Sequence, residues 1–272
     1  LMLESHNDTA VAIAEHIGGS VKGFAKLMNR KASELGCERT SFVTPNGLDS
    51  KDHYTTAYEL CKIATYALKN ETFRKIITTP SYSFSNIEQS KQYNVSNKDA
   101  FLSQYNGAIG VKTGFTGKAG YCFCGAAKRN NTTLISAVLG CGWPPNKTYK
   151  WKDTKKLMDY GFNNFAKVNF RPQKKQFKIK VLNGQTCFTN VKVWDKPCML
   201  MLSKDDEITY KIKLPSTLTA PVNKNDILGF AKLYINDKLY RQTPLRAECN
   251  VKPITPDHIR QILIKILCNA SI

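Results

Sequence analysis

Apolar positions recur at two different spacings along this 272-residue chain, and the spacing changes several times. Up to about residue 78 the period is helical. Asn7 or Asp8 can cap a helix through "TAVAIAEHI", which Gly18-Gly19 stops. Ser20 caps a second, with Phe24, Leu27, Met28 and Leu35 at helical spacing before Gly36. A third, "TAYELCKIATYALKN", gathers Leu60, Ile63, Ala64, Ala67 and Leu68 into one stripe. From Ser81 the period shortens to two. "SYSFSNI", "AIGVKTG", "GYCFCGAAK" and "TLISAVLGC" predict strands, with "KRNNTT" as a hairpin connection. "YKWKDTKKLMDYGFNNFA" returns to helix. Residues 1–165 therefore predict an α+β domain.

Beyond "VNFRPQKKQ" six short alternating runs follow, from "QFKIKVL" to "KLYRQTPLRA". They predict a small all-β domain over residues 168–252. The tail, residues 256–272, carries Ile259, Ile262, Leu263, Ile266, Leu267 and Ala270 as an amphipathic helical stripe, with Arg260 and Lys265 off it. That stripe covers only about three turns, too short to span a bilayer, and is expected to lie on an anionic membrane surface.

Composition narrows the picture modestly. Apolar residues make up 42% of the chain, enough for a core. The formal charge of +19 favours anionic surfaces and polymers, but the lysines are spread along the chain and no nucleic-acid module appears, so no nucleic-acid partner is expected. Nine cysteines and four histidines show neither a paired-cysteine motif nor a zinc-binding spacing, and no metal is expected. Cys122 and Cys124, two apart in a strand, share a face and are expected to be core thiols.

Two stretches carry chemistry. In "GVKTGFT" a strand presents an ammonium, a hydroxyl and an unobstructed backbone along one edge. Lys112 and Thr113 can hold a terminal carboxylate through charge-assisted hydrogen bonds worth about 1.5–3 kcal/mol each. Gly114 lets a peptide lie close, and the Phe115 backbone N–H can serve as an oxyanion donor. In "ESHNDTA" the Ser5 hydroxyl suits a proton relay and the Asn7 amide suits a substrate peptide group. Both stand at a helix N-terminus, where unpaired N–H groups cluster.

In this order the two stretches resemble the second and third signature motifs of penicillin-recognising serine acyl-transferases. "FAKLMNRKASELG", "P-x-GLD", "HYTTAYEL", "DYGF", "PLRAE" and the tail are each similar to parts of one family, the D-alanyl-D-alanine carboxypeptidases, or low-molecular-weight penicillin-binding proteins. The resemblance implies a transpeptidase-like (β-lactamase-like) α+β domain followed by a β-rich domain. It implies removal of the terminal D-alanine from peptidoglycan stem peptides through a serine acyl-enzyme, inhibition by β-lactams, no cofactor, and work outside the cytoplasmic membrane. Ser5 would shuttle a proton, Asn7 would hold the substrate amide, and Phe115 N–H would complete the oxyanion hole. Lys112 and Thr113 would bind the D-alanine or β-lactam carboxylate, with Gly114 and Thr116 also contacting substrate.

The chain departs from the family pattern in two places. Asn46 stands where relatives often have histidine, so no catalytic role is assigned to that loop. No serine is followed three positions later by lysine, so the nucleophile motif is absent from these residues. The expectation is that it lies on an N-terminal segment outside them, and that the chain alone is inactive. The alternative is a non-catalytic relative that binds peptidoglycan or β-lactams.

Overall fold

The computed structural model describes residues 1–172, 175–193 and 195–269. They form two compact units, Leu1–Asn164 and Phe165–Ile272.

The first unit opens with four helices, α1 (Asn7–Gly18), α2 (Val21–Glu34), α3 (Ala57–Ala67) and α4 (Glu71–Thr78). Three are capped by their own side chains. Ser20, Thr56 and Asn70 accept from the N–H groups of Gly23, Glu59 and Phe73, each worth about 1 kcal/mol. α1 differs from expectation: Asn7 is its first helical residue and His6, with no capping side chain, precedes it.

A hairpin of β1 (Ser81–Ser85) and β2 (Gln92–Ser96) and the single turn α5 (Phe101–Gln104) follow. β3 (Ala108–Thr116), β4 (Gly120–Arg129) and β5 (Thr132–Val138) then form an antiparallel sheet with β4 in the middle, before α6 (Tyr149–Asn164) closes the unit.

Alternation along β4 divides two cores. Phe123 and Ala127 pack with Phe101, Tyr105, Trp151 and Met158 from α5, the loop after it and α6. Ala126 and Cys124 face the other way, with Ala64, Leu68 and Ile77 from the α3–α4 side. Each fully buried large side chain contributes about 1.5–3 kcal/mol. Gly110 marks where β3 meets α4: its φ is +112°, and an added Cβ would lie 2.9 Å from Ile77. The register shifts between Ala108 and Gly110 at that point.

In the second unit β6 (Phe165–Phe170) pairs with β9 (Cys198–Ser203). Helix is predicted through Ala166, but Phe165 and Ala166 are already strand, held opposite Ser203 and Leu202. β7 (Lys175–Leu182) lies between β8 (Phe188–Val193) and the short parallel β11 (Thr217–Thr219). β12 (Ile227–Ile235) lies between β10 (Ile208–Lys213) and β13 (Lys238–Arg246). Ile179, Val191, Val193, Ala231 and Leu245 join the strands in one core.

The tail forms α7 (Pro256–Asn269), with Ile259, Ile262, Leu263, Ile266 and Leu267 exposed. Ala270 of the expected stripe lies outside the described residues. No helix among the described residues is long and apolar enough to cross a membrane.

Candidate functional site

A cleft of about 960 Å³ opens in the first unit, bordered by the start of the chain, the loop 44–53, β3, β4 and the first turn of α6. Ser5, Asn7, Lys112, Thr113, Gly114, Phe115 and Thr116, all expected from sequence, line it.

The local backbone explains how Ser5 reaches it. Ser5 sits at φ +62°, in the left-handed region that few non-glycine residues occupy, and its N–H donates to Leu1 O at 2.8 Å. His6 then turns extended and α1 begins. The preceding residue is pinned as well. The Glu4 carboxylate accepts from Ser96 N at 3.1 Å, and that bond chiefly holds its pKa below the usual carboxylate value. Lys98 N donates to Leu3 O at 3.0 Å. The end of the β1–β2 hairpin thus clamps the serine turn.

Across the cleft, Lys112 Nζ donates to Ser5 Oγ, joining residues 107 positions apart. It also donates to Thr113 O at 2.8 Å. Burial lowers the Lys112 pKa; Asp99 opposes that shift and Lys150 adds to it.

The strand is longer than the motif suggested. Gly114, Phe115 and Thr116 pair with Cys122, Tyr121 and Gly120, so the Lys-Thr-Gly run lies inside β3 rather than at its end. A Cβ at Gly114 would meet nothing nearer than Cys122 Cβ at 3.9 Å, so only the cleft gains from its absence. The Phe115 ring packs on Tyr121 with centroids 4.5 Å apart. Thr116 Oγ1 donates to Asp49 Oδ1 and accepts from Ala119 N, both at 2.9 Å. Its hydroxyl proton therefore ties the 44–53 loop to the strand. In that loop Asn46 Oδ1 accepts from Leu48 N, as a turn residue does. His53 Nδ1 accepts from Val43 N at 3.0 Å and Thr44 N at 3.3 Å, and burial lowers its pKa, which keeps the ring neutral.

Cys122 and Cys124 do share a face, and both border the cleft. Cys124 packs against the α3–α4 core, where burial pushes its thiol up to about 12. It is an inert side chain rather than a nucleophile.

Two residues escaped sequence reasoning. Lys150, 9% exposed, reaches the cleft from α6, with Nζ 4.8 Å from the Tyr121 ring centroid and 4.9 Å from that of Trp151. Its signal was present: Lys150, Thr154 and Met158 form one buried i, i+4 stripe. Asp99 lies in the loop before α5, 6% exposed. Burial pushes its carboxyl up to about 6 despite Phe101 N, Lys112 and Lys150.

The D-alanyl-D-alanine carboxypeptidase family matches residues 1–142, and the penicillin-binding protein 5 C-terminal domain matches residues 165–253. D-alanyl-D-alanine carboxypeptidase DacF of Bacillus subtilis is 31% identical over 257 residues, 93% of this chain and 64% of the relative. DacA of Escherichia coli is 31% identical over 252 residues, 89% of this chain and 59% of the relative. The chain thus spans about three fifths of the length of these curated relatives. Among solved structures, penicillin binding protein 5 of Haemophilus influenzae superposes with a TM-score of 0.69 at 26% identity, covering 92% of this chain and 72% of that one. With its first 142 residues matched by the family and its fold shared with a penicillin binding protein, the chain belongs to the D-alanyl-D-alanine carboxypeptidase family.

Proposed function

We propose that the chain forms the substrate-carboxylate side of a serine-type D-Ala-D-Ala carboxypeptidase acting on peptidoglycan stem peptides and open to β-lactams. The observation that carries this reading is the hydrogen bond from Lys112 to Ser5, which joins the two motifs in one cleft. Lys112 supplies the charge for a terminal carboxylate, Thr113 a hydroxyl, and Lys150 a second ammonium beside them. Gly114 leaves room for the peptide to lie along β3, an edge strand of its sheet. Ser5, bonded to an ammonium, is poised to pass a proton rather than to attack, and Asn7 holds the substrate amide. The Phe115 N–H serves the oxyanion, and Thr116 contacts substrate while bracing the loop.

The nucleophile is a Ser-x-x-Lys pair that these 272 residues do not contain. In this reading it comes from polypeptide outside them. The same lack favours the alternative of a non-catalytic binder. The work is placed at the outer face of the cytoplasmic membrane, where the exposed apolar row of α7 lies on anionic lipid.

Acylation needs a hydroxyl beside a base, so a fluorescent penicillin decides between these readings. The 272 residues alone should give no adduct, and the same residues joined to a Ser-x-x-Lys segment should give a stoichiometric one on that serine. An adduct on Ser5 in the chain alone would overturn the relay assignment. No adduct in either form would leave the binding role.

A further inference from the structure

The hairpin of β1 and β2 is exposed on both faces; of its strand residues only Val95 is partly buried. Pairing sorts its side chains by chemistry. Tyr82 lies opposite Val95 and Phe84 opposite Tyr93, which gathers three rings on one face. The rings of Tyr82 and Phe84 stack with centroids 6.2 Å apart, and those of Phe84 and Tyr93 at 5.2 Å. Ser81, Ser83, Ser85, Gln92, Asn94 and Ser96 take the other face, where Ser83 Oγ donates to Asn94 Oδ1. Cross-strand ring pairs help a ribbon that two strands alone barely sustain. Yet Tyr82, Phe84 and Tyr93 stay 61%, 44% and 38% exposed, so much of their apolar surface remains in water for a ligand to cover.

We propose that this aromatic face binds the glycan strand that carries the stem peptide, a neutral polymer of N-acetylated pyranose rings. Place favours that occupant. Ser96 N donates to Glu4 and Lys98 N to Leu3 O, which fixes the base of the hairpin to the cleft rim that Glu4 and Lys98 both line. From that base the row runs outward, Tyr82 one pair away and Phe84 with Tyr93 three pairs away, about 10 Å along the strands. A stem peptide is short, a few residues at about 3.5 Å each, so the sugar strand it hangs from must pass close to the rim. Charge favours it too. On a chain with a surplus of +19, neither strand of the hairpin holds a charged residue, and Glu88 and Lys91 are confined to the turn. An anionic polymer or lipid surface is met by lysines, and a neutral one is not. The rings can cover the C–H side of a pyranose, while the tyrosine hydroxyls and Lys91 Nζ, 5.1 Å from the Tyr93 ring centroid, can bond its hydroxyl and acetamido groups. Even a weak grip on the sugar raises the effective concentration of the peptide end at the cleft.

The choice of a glycan rests on the reading that the cleft takes a stem peptide, and the two are tested separately. A peptide-free N-acetylglucosamine tetramer is titrated by calorimetry into these residues alone and into the protein joined to its Ser-x-x-Lys segment. Turnover of a sugar-free D-Ala-D-Ala peptide by the joined protein reports the cleft. The tetramer should bind both forms. Phe84→Ala and Tyr82→Ala should each weaken it about fivefold, Tyr82→Phe should keep it, and all three should leave kcat/KM for the sugar-free peptide within about twofold. Tyr82→Ala, at the most exposed ring of the three, serves should Phe84→Ala unfold the hairpin. A tetramer that fails to bind, or binds wild type and both alanine variants alike, would overturn the proposal. So would binding to these residues alone and not to the joined protein, which would show that the added segment covers the row. Variants that lose recovery with liposomes but keep the tetramer would make the face a lipid contact instead. Variants that lose turnover but keep the tetramer would reduce the hairpin to a brace for Ser5. No turnover by the wild-type joined protein, with tetramer binding still lost in the variants, would sink the carboxylate reading and leave the sugar surface standing.

Discussion

Asp99→Asn should make the first unit more stable at neutral pH, an unusual outcome for a substitution beside a functional cleft. The magnitude follows from the displaced titration. The carboxyl moves from an ordinary value of 3.8 to about 6, chiefly through burial, against the help of Phe101 N and two lysines. A carboxyl with a raised folded pKa holds its proton more tightly folded than unfolded. Its favourable contribution is therefore complete below about pH 4 and is lost as pH rises through about 6. Two units of displacement correspond to about 3 kcal/mol at pH 7. Asparagine keeps an oxygen for Phe101 N and carries no charge to desolvate. The variant should match the wild type near pH 4 and exceed it by about 3 kcal/mol at pH 7. Urea unfolding followed through Trp143 and Trp151, in a Trp194→Phe background, measures this. A variant equal to or less stable than wild type at pH 7 would show that the lysines more than offset the burial, and the argument from desolvation would fail.

Three further outcomes follow from the cleft and the tail. In the protein joined to its Ser-x-x-Lys segment, Lys112→Ala should lower kcat/KM for a D-Ala-D-Ala peptide about 10- to 100-fold, the worth of one charge-assisted hydrogen bond; a value within twofold of wild type would remove the assignment. Gly114→Ala should leave the melting temperature within about 2 °C, since the new Cβ meets only Cys122, yet weaken peptide binding about tenfold. Parallel calorimetry and titration would show whether the two effects separate. Truncation after Thr255 should abolish recovery of the protein with anionic liposomes in a flotation assay, and equal recovery of both forms would end the anchor reading.

What the sequence made legible was whatever follows a period or a motif. The cap at Ser20, the three-strand sheet and the β-rich second unit all announce themselves by spacing. β2 did not, because Gln92, Tyr93, Asn94 and Ser96 are exposed and nothing forces an alternation on them. β11 is three residues long and pairs in parallel, so no neighbouring turn signals it. The end of α6 was misplaced because Phe165 and Ala166 continue a helical composition, and only pairing with β9 makes them strand. At the site, motif residues were found and their supports were not. Glu4 reads as an ordinary surface acid until Ser96, far along the chain, is seen to donate to it. Lys150 and Asp99 were passed over because a charged residue is assumed to face water.

That assumption bears on how the cleft tells a substrate from any other anion. The surplus of +19 is spread over the whole chain and draws anions without discrimination. Around the cleft itself the charges nearly balance: Lys98, Lys112 and Lys150 stand against Glu4 and Asp49. A long-range field is therefore not what selects a carboxylate there. Desolvation is. An exposed lysine gains well under about 1 kcal/mol from a passing carboxylate, since water and salt screen the pair. Lys112 has already lost part of its hydration to the fold, so a carboxylate placed between it and Thr113 restores what burial removed. The interaction is short-ranged and demands a terminus narrow enough to lie against Gly114. Buried charge gives the cleft a discrimination that the basic surface lacks.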